Sequence, residues 1–193
     1  MRNVVEHSES KQIGICAQYW PSKNKVEAAI IDRGVGVAST LSRNPHLDIA
    51  NDKDALNYAL MPAVSGKAFK GARKQRGHWA NSGFGLYMTS RICRNGGNFF
   101  IASGQTDMLL TKVKGAKTYL PCAYEGTAVR LVIKTDQLRG LSASLQRYRD
   151  EGYEIQRRYK EIVDINPSAA SLMLSEDFDL SLWDKFLSAL KIK

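Results

Sequence analysis

Three glycine-bearing stretches hold the side chains that could do chemistry in this chain. Asp32-Arg33-Gly34-Val35-Gly36-Val37 follows a run with strand character. A carboxylate at a strand end can accept a hydrogen bond from an exocyclic amine, and the two glycines let backbone approach a flat ring. Asn81-Ser82-Gly83-Phe84-Gly85-Leu86 leads into a helical pattern, where N–H groups presented by glycines suit a phosphate. Glu125-Gly126-Thr127 opens the last core strand and carries no signal by itself. A basic run, Lys67, Lys70, Arg73, Lys74 and Arg76, lies between the first two boxes. Such a cluster is either a solvated loop or an attractor of phosphate, on a nucleotide or along nucleic acid. Taken singly, DxGxG is a common turn and GxGL an ordinary helix entry.

The elements that would position these boxes follow from periodicity. Segments 12–20 and 25–32 alternate and carry β-branched or aromatic residues, and Pro21-Ser22-Lys23-Asn24 joins them, which predicts an antiparallel hairpin. Residues 2–8 read as the end of a helix, and 33–51 as a long loop rich in Gly, Ser and Asn. Asp52 is expected to cap a helix over 53–62, where Ala55, Leu56, Ala59 and Leu60 recur at helical spacing. The stretch 66–80 has glycines and no periodicity, and is expected to be mobile. A second helix is predicted from about Phe84 to Arg94, stopped by Asn95-Gly96-Gly97. Strands are expected at 98–103, 107–112, 118–121 and 127–134. The order predicts an α/β two-layer sandwich with a mixed, largely antiparallel sheet. From Thr135 onward the chain is charged and helical until Pro167, and an apolar stripe follows through Leu180, Trp183, Phe186 and Leu190. The expected division is a domain over 1–135 and a helical C-terminal extension over 136–193.

Composition narrows the class. The chain has 193 residues, 44% hydrophobic and 24% charged, with a formal net charge of +9, which suits one globular domain with an appendage. No apolar run approaches the ~18–20 residues of a membrane span, and the N-terminus lacks a signal-peptide core, so the expectation is a cytoplasmic protein without membrane contact. Cys16, Cys93 and Cys122 lack metal-ligand spacing and read as reduced thiols. Residues 136–193 hold 9 Lys/Arg and 10 Asp/Glu, so 19 of the 28 basic residues but only 9 of the 19 acidic ones fall before them. The positive charge therefore belongs with the glycine boxes. No GxxxxGK[ST] occurs and no GxGxxG follows a strand, which excludes P-loop and Rossmann readings.

The order of these features resembles the GHKL (Bergerat-fold) ATP-binding domain, the family of sensor histidine kinase catalytic domains, anti-sigma serine kinases, gyrase B, Hsp90 and MutL. The resemblance covers about residues 1–135. It implies that ATP is bound with Mg²⁺. Asn3 matches the asparagine whose side-chain oxygen helps hold the metal, which keeps its other ligands as phosphate and water. His7, four residues on, shares its helical face and is a candidate phosphate-facing residue, or equally a capping or buried histidine. Asp32 matches the aspartate that reads the adenine amino group, Gly34 and Gly36 shape that wall, and Thr127 lies beside the base. Asn81, Gly83, Gly85 and Leu86 match the phosphate-cradling box. Lys67 to Arg76 fall where the family has its mobile lid, which makes the basic run a phosphate clamp.

Two departures bear on activity. Hydrolytic and serine-kinase members carry a Glu four residues before the metal-binding Asn, and here that position falls before Met1, which suggests a chain beginning inside the first helix. Glu6 has the wrong spacing to replace it. A phosphoacceptor His followed by an acid is not visible: His7, His46 and His78 precede Ser8, Leu47 and Trp79. The expected function is thus an ATP–Mg²⁺ binding module of a signalling kinase, acting on a protein partner, or an ATP-driven switch. The alternative is a basic nucleic-acid-binding protein without nucleotide chemistry, disfavoured because the cations concentrate in one loop. Asn3→Ala is expected to spare metal-free nucleotide binding and to remove its enhancement by Mg²⁺; titrations with and without the metal check this.

Overall fold

The computed structural model describes residues 8–67, 69, 83–111 and 117–165, with side chains through Lys160. Asn3, His7, Asn81, the cations Lys70, Arg73, Lys74 and Arg76, Pro167 and the apolar stripe of 174–190 lie outside the described residues.

Strands β1 (Ile13–Trp20) and β2 (Lys25–Asp32) form the expected antiparallel hairpin, with Ile13 opposite Asp32 and Trp20 opposite Lys25. A 3₁₀ turn, Pro21–Lys23, links them, and Asn24 closes it in the left-handed conformation that Asn tolerates. The stretch expected to be a long loop contains a short helix, α1 (Gly36–Leu41). Six residues without a side-chain cap leave too little pattern to be recognised. Helix α2 spans Asp52–Leu60, and its cap is Asn51, whose side chain accepts from Asp54 N–H. Asp52, expected in that role, instead accepts from Gln105 N–H at 2.8 Å. Helix α3 runs Gly85–Arg94 and ends at Asn95, close to the predicted bounds.

The four strands expected after α3 are two long ones, β3 (Asn98–Leu110) and β4 (Lys117–Lys134). The break expected at 104–106 is a bulge rather than an end: the register shifts on both sides of Gly104, which has φ +67°. The Asp52 carboxylate on Gln105 N–H holds that bend. Pro121 is tolerated inside β4 because β2 pairs with 127–134, so among the described residues this stretch of β4 is paired on one side alone.

The sheet order is β1-β2-β4-β3, and every pairing among the described residues is antiparallel. The expected mixed sheet is corrected accordingly. Strands β2 and β3 do run parallel, as a crossover through helices requires, but β4 inserts between them and pairs with both. A buried cluster joins Leu56 and Leu60 of α2 and Cys93 of α3 to Phe99, Ile101 and Met108 of β3. Burial pushes the Cys93 thiol up to about 12, so it remains protonated at neutral pH.

After the 3₁₀ turn Thr135–Leu138, helix α4 (Leu141–Ile165) packs back on α3. Ile155 is fully buried in a second cluster with Leu41, Tyr58, Met61 and Tyr87. Residues of the C-terminal extension thus complete a core begun by the preceding elements. The Tyr159 hydroxyl donates to that of Tyr58 at 3.2 Å, and burial, reinforced by this bond, raises the Tyr159 pKa. On the outer side of α4, Arg158 and then Arg157 hold the Glu154 carboxyl below the usual carboxylate range. Among the described residues, no helix is long and apolar enough to cross a membrane.

Phe99→Ala, at the centre of the sheet-side cluster, is expected to cost about 3–5 kcal/mol. Tyr19→Ala, on the exposed hairpin strand, is expected to cost less than about 0.5 kcal/mol. Urea unfolding of the two variants checks the contrast.

Candidate functional site

The last pair of the β2–β4 ladder places Asp32 directly opposite Thr127. Because side chains alternate along a strand, both project on the same side of the sheet as Ile30 and Val129. A cavity of about 340 Å³ opens there, against α1 and α3. Asp32, Gly36 and Val37 line one wall, Gly83, Gly85 and Leu86 another, and Thr127 lies between them on the sheet. Ile30, Ile101, Val129 and Leu131 form an apolar floor. The volume falls in the ~300–1,000 Å³ range of small-molecule pockets, which are mostly apolar with a few placed polar groups.

Asp32 is 3% exposed, so its hydrogen bonds decide what it can do. Its Oδ1 accepts from Gly34 N–H at 2.9 Å, and its backbone carbonyl accepts from the Tyr124 hydroxyl at 3.1 Å. Among the described residues, neither Oδ2 of Asp32 nor the Thr127 hydroxyl has a hydrogen-bond partner. A buried carboxylate with one committed oxygen and one open oxygen is suited to a ligand N–H donor.

Gly34 is required elsewhere. Val35 N–H donates to the Ser8 carbonyl at 2.8 Å, and a Cβ on Gly34 would lie 1.9 Å from that oxygen. Gly34 therefore lines an adjoining groove with Tyr124 and Gly126, not the cavity itself. Gly83 has φ +69°, and a Cβ there would press to 2.6 Å on the Val64 carbonyl oxygen. Only glycine lets this box rest on the segment that leaves α2. That segment adds Ser65 and Gly66 to the cavity wall. Lys67 follows them without lining the cavity, and its N–H donates to Ser65 Oγ at 3.1 Å.

Sequence reasoning passed over the residue that ties two boxes together. Ser103 on β3 is 3% exposed; its Oγ accepts from Val37 N–H at 3.0 Å and donates to the Gly126 carbonyl at 2.6 Å. One hydroxyl thus fixes the start of α1 to the residue before Thr127. Nothing in its immediate sequence, Ala-Ser-Gly, announces that role. Thr89, one turn into α3, also lines the cavity, with its hydroxyl donating to the Gly85 carbonyl at 2.8 Å.

Among the described residues, no group of three or more His, Cys, Asp or Glu is placed to hold a metal ion. No family model matches the chain, and no curated protein sequence matches it.

Ser103→Ala would strand a buried carbonyl and a backbone N–H at once. It is expected to lower stability by about 1–3 kcal/mol, measured by denaturant unfolding.

Proposed function

We propose that this chain is an adenine-nucleotide-binding domain of the GHKL type, a two-layer α/β sandwich of Bergerat topology that holds ATP with Mg²⁺. The observation that carries the reading is the convergence of three separate sequence boxes on one cavity. Asp32 and Gly36, Gly83 and Gly85, and Thr127 line it together, although up to 95 residues separate them. An ordinary turn, an ordinary helix entry and an ordinary strand start have no reason to share a pocket.

In this reading the purine lies on the apolar floor with its amino group donating to the open oxygen of Asp32. The Thr127 hydroxyl completes the polar edge. The phosphates extend toward Gly83 and Gly85, where the first turn of α3 has amide groups without intrahelical acceptors. Lys67, beside Ser65 and Gly66, supplies positive charge near that end, and the other cations up to Arg76 would join it. Asn3 would contribute the single protein oxygen that Mg²⁺ needs when phosphates and water supply the rest. The cofactor supplies a transferable phosphoryl group, and the residues described here orient the base and the tail. Binding of this kind serves a kinase module or an ATP-driven switch that acts on a protein partner.

The experiment is calorimetric titration of the chain with ATP–Mg²⁺, paired with Asp32→Asn. The variant is expected to lose about 1–3 kcal/mol of binding through loss of a charge-assisted hydrogen bond. Unchanged affinity would remove Asp32 from the site. Tight binding of an oligonucleotide without any ATP uptake would replace the reading with a nucleic-acid one.

A further inference from the structure

Helix α4 reaches the glycine box from behind. Three consecutive residues meet the box and the helix that follows it. Glu151 pairs with Arg91 of α3. Tyr153 stacks at a tilt on Phe84, with ring centroids 5.0 Å apart. Between them Gly152 is buried, and a Cβ added there would come to 2.7 Å from Phe84 Cε1, 2.9 Å from Tyr87 Cε1 and 3.3 Å from Pro62 Cβ.

Phe84 is half-buried and lies between two other rings. Its ring meets Tyr87 edge-on, with centroids 6.2 Å apart, and the exposed Tyr153 at a tilt. In sequence it stands between Gly83 and Gly85, both of which line the cavity. Gly83 in turn rests on Val64, and the same segment runs from Pro62, which Gly152 also approaches, to Ser65 and Gly66 on the cavity wall. The notch at Gly152 therefore meets side chains from both segments that contribute residues to this end of the pocket.

We propose that α4 is a positioning element for the glycine box: Gly152 seats Phe84, and the clasp of Glu151, Gly152 and Tyr153 sets where Gly83 and Gly85 present their backbone to a ligand. The proposal rests on the nucleotide reading for the identity of that ligand, with the phosphates at this end and the base at Asp32. It follows that a displacement of α4 weakens the grip on phosphate and leaves recognition of the base intact. Conversely, phosphate seated on the box alters the footing of α4, which gives the C-terminal extension a direct mechanical link to occupancy.

Gly152→Leu in the full chain tests this with two measurements. Without ligand, hydrogen exchange at the amides of 84–88 is expected to accelerate about tenfold while exchange in β2 and β4 holds. In calorimetry, ATP affinity is expected to fall about tenfold and adenosine affinity to stay within about twofold, as misplacement of one end of a site requires. Unchanged exchange at 84–88 overturns the proposal, as does an equal loss for ATP and adenosine, which would mark a general destabilisation. Should Gly152→Leu fail to fold, Gly152→Ala and Glu151→Ala support the same comparison at smaller amplitude. A parent chain that binds neither ATP nor adenosine overturns the nucleotide reading, and the exchange comparison then decides the positioning role alone.

Discussion

The register of β2 against β4 is the constraint on which the site depends. Lys25 pairs with Lys134 at one end and Asp32 with Thr127 at the other. A slip of one residue would turn every side chain to the opposite face and carry Asp32 out of the cavity. The two faces of the pair are chemically distinct, which makes that slip costly. Val26, Ala28 and Ile30 share one face with Val129, Leu131 and Ile133, and the β4 members of that set pack against the sheet-side cluster. The opposite face carries Glu27, whose carboxyl is held below the usual carboxylate range by Arg130 first and by Lys25 second. Apolar contact on one side and ion pairing on the other thus specify the same alignment.

Around that fixed edge, the cavity is shaped by backbone meeting backbone. Ser8 closes on Gly34 and Val35, Val64 on Gly83, and Thr40 on Gly66, where a Cβ would come to 2.0 Å from the Thr40 carbonyl oxygen. At these approaches any side chain larger than hydrogen would collide with backbone. Ser103 extends the same logic with a side chain, joining α1 to β4 through a buried hydroxyl. The result is a slot with an apolar floor and polar side chains, Asp32 and Thr127 among them, on its wall.

The C-terminal helix belongs to the same physical system. Ile155 is buried among residues of α1, α2 and α3, and Tyr159 reaches Tyr58. Removing α4 would expose that cluster, so the extension cannot be treated as an appendage that merely follows a finished domain. Its contact with Phe84 places the extension against the residue between the two glycines of the second box.

By itself, the sequence determined what depends on neighbours along the chain. Alternation marked β1 and β2, helical spacing marked α2 and α3, and glycine with Asn ended α3 near the observed residue, because each pattern is local. Asp32, Gly36, Gly83, Gly85 and Thr127 were legible as candidates only through the order of their boxes along the chain, since each stretch taken singly is an ordinary turn, helix entry or strand start. The tertiary structure alone decided that they share a cavity, because convergence depends on strand register and crossover path. It decided that Gly34 answers to Ser8, that Asn51 rather than Asp52 caps α2, and that a bulge at Gly104 joins two expected strands into one. It also decided that β4 separates β2 from β3 and makes the sheet wholly antiparallel among the described residues. Ser103 and Gly152 were invisible beforehand, since a hydroxyl that bridges distant carbonyls and amides, or a missing side chain that seats a ring, has meaning only once partners from far along the chain have arrived.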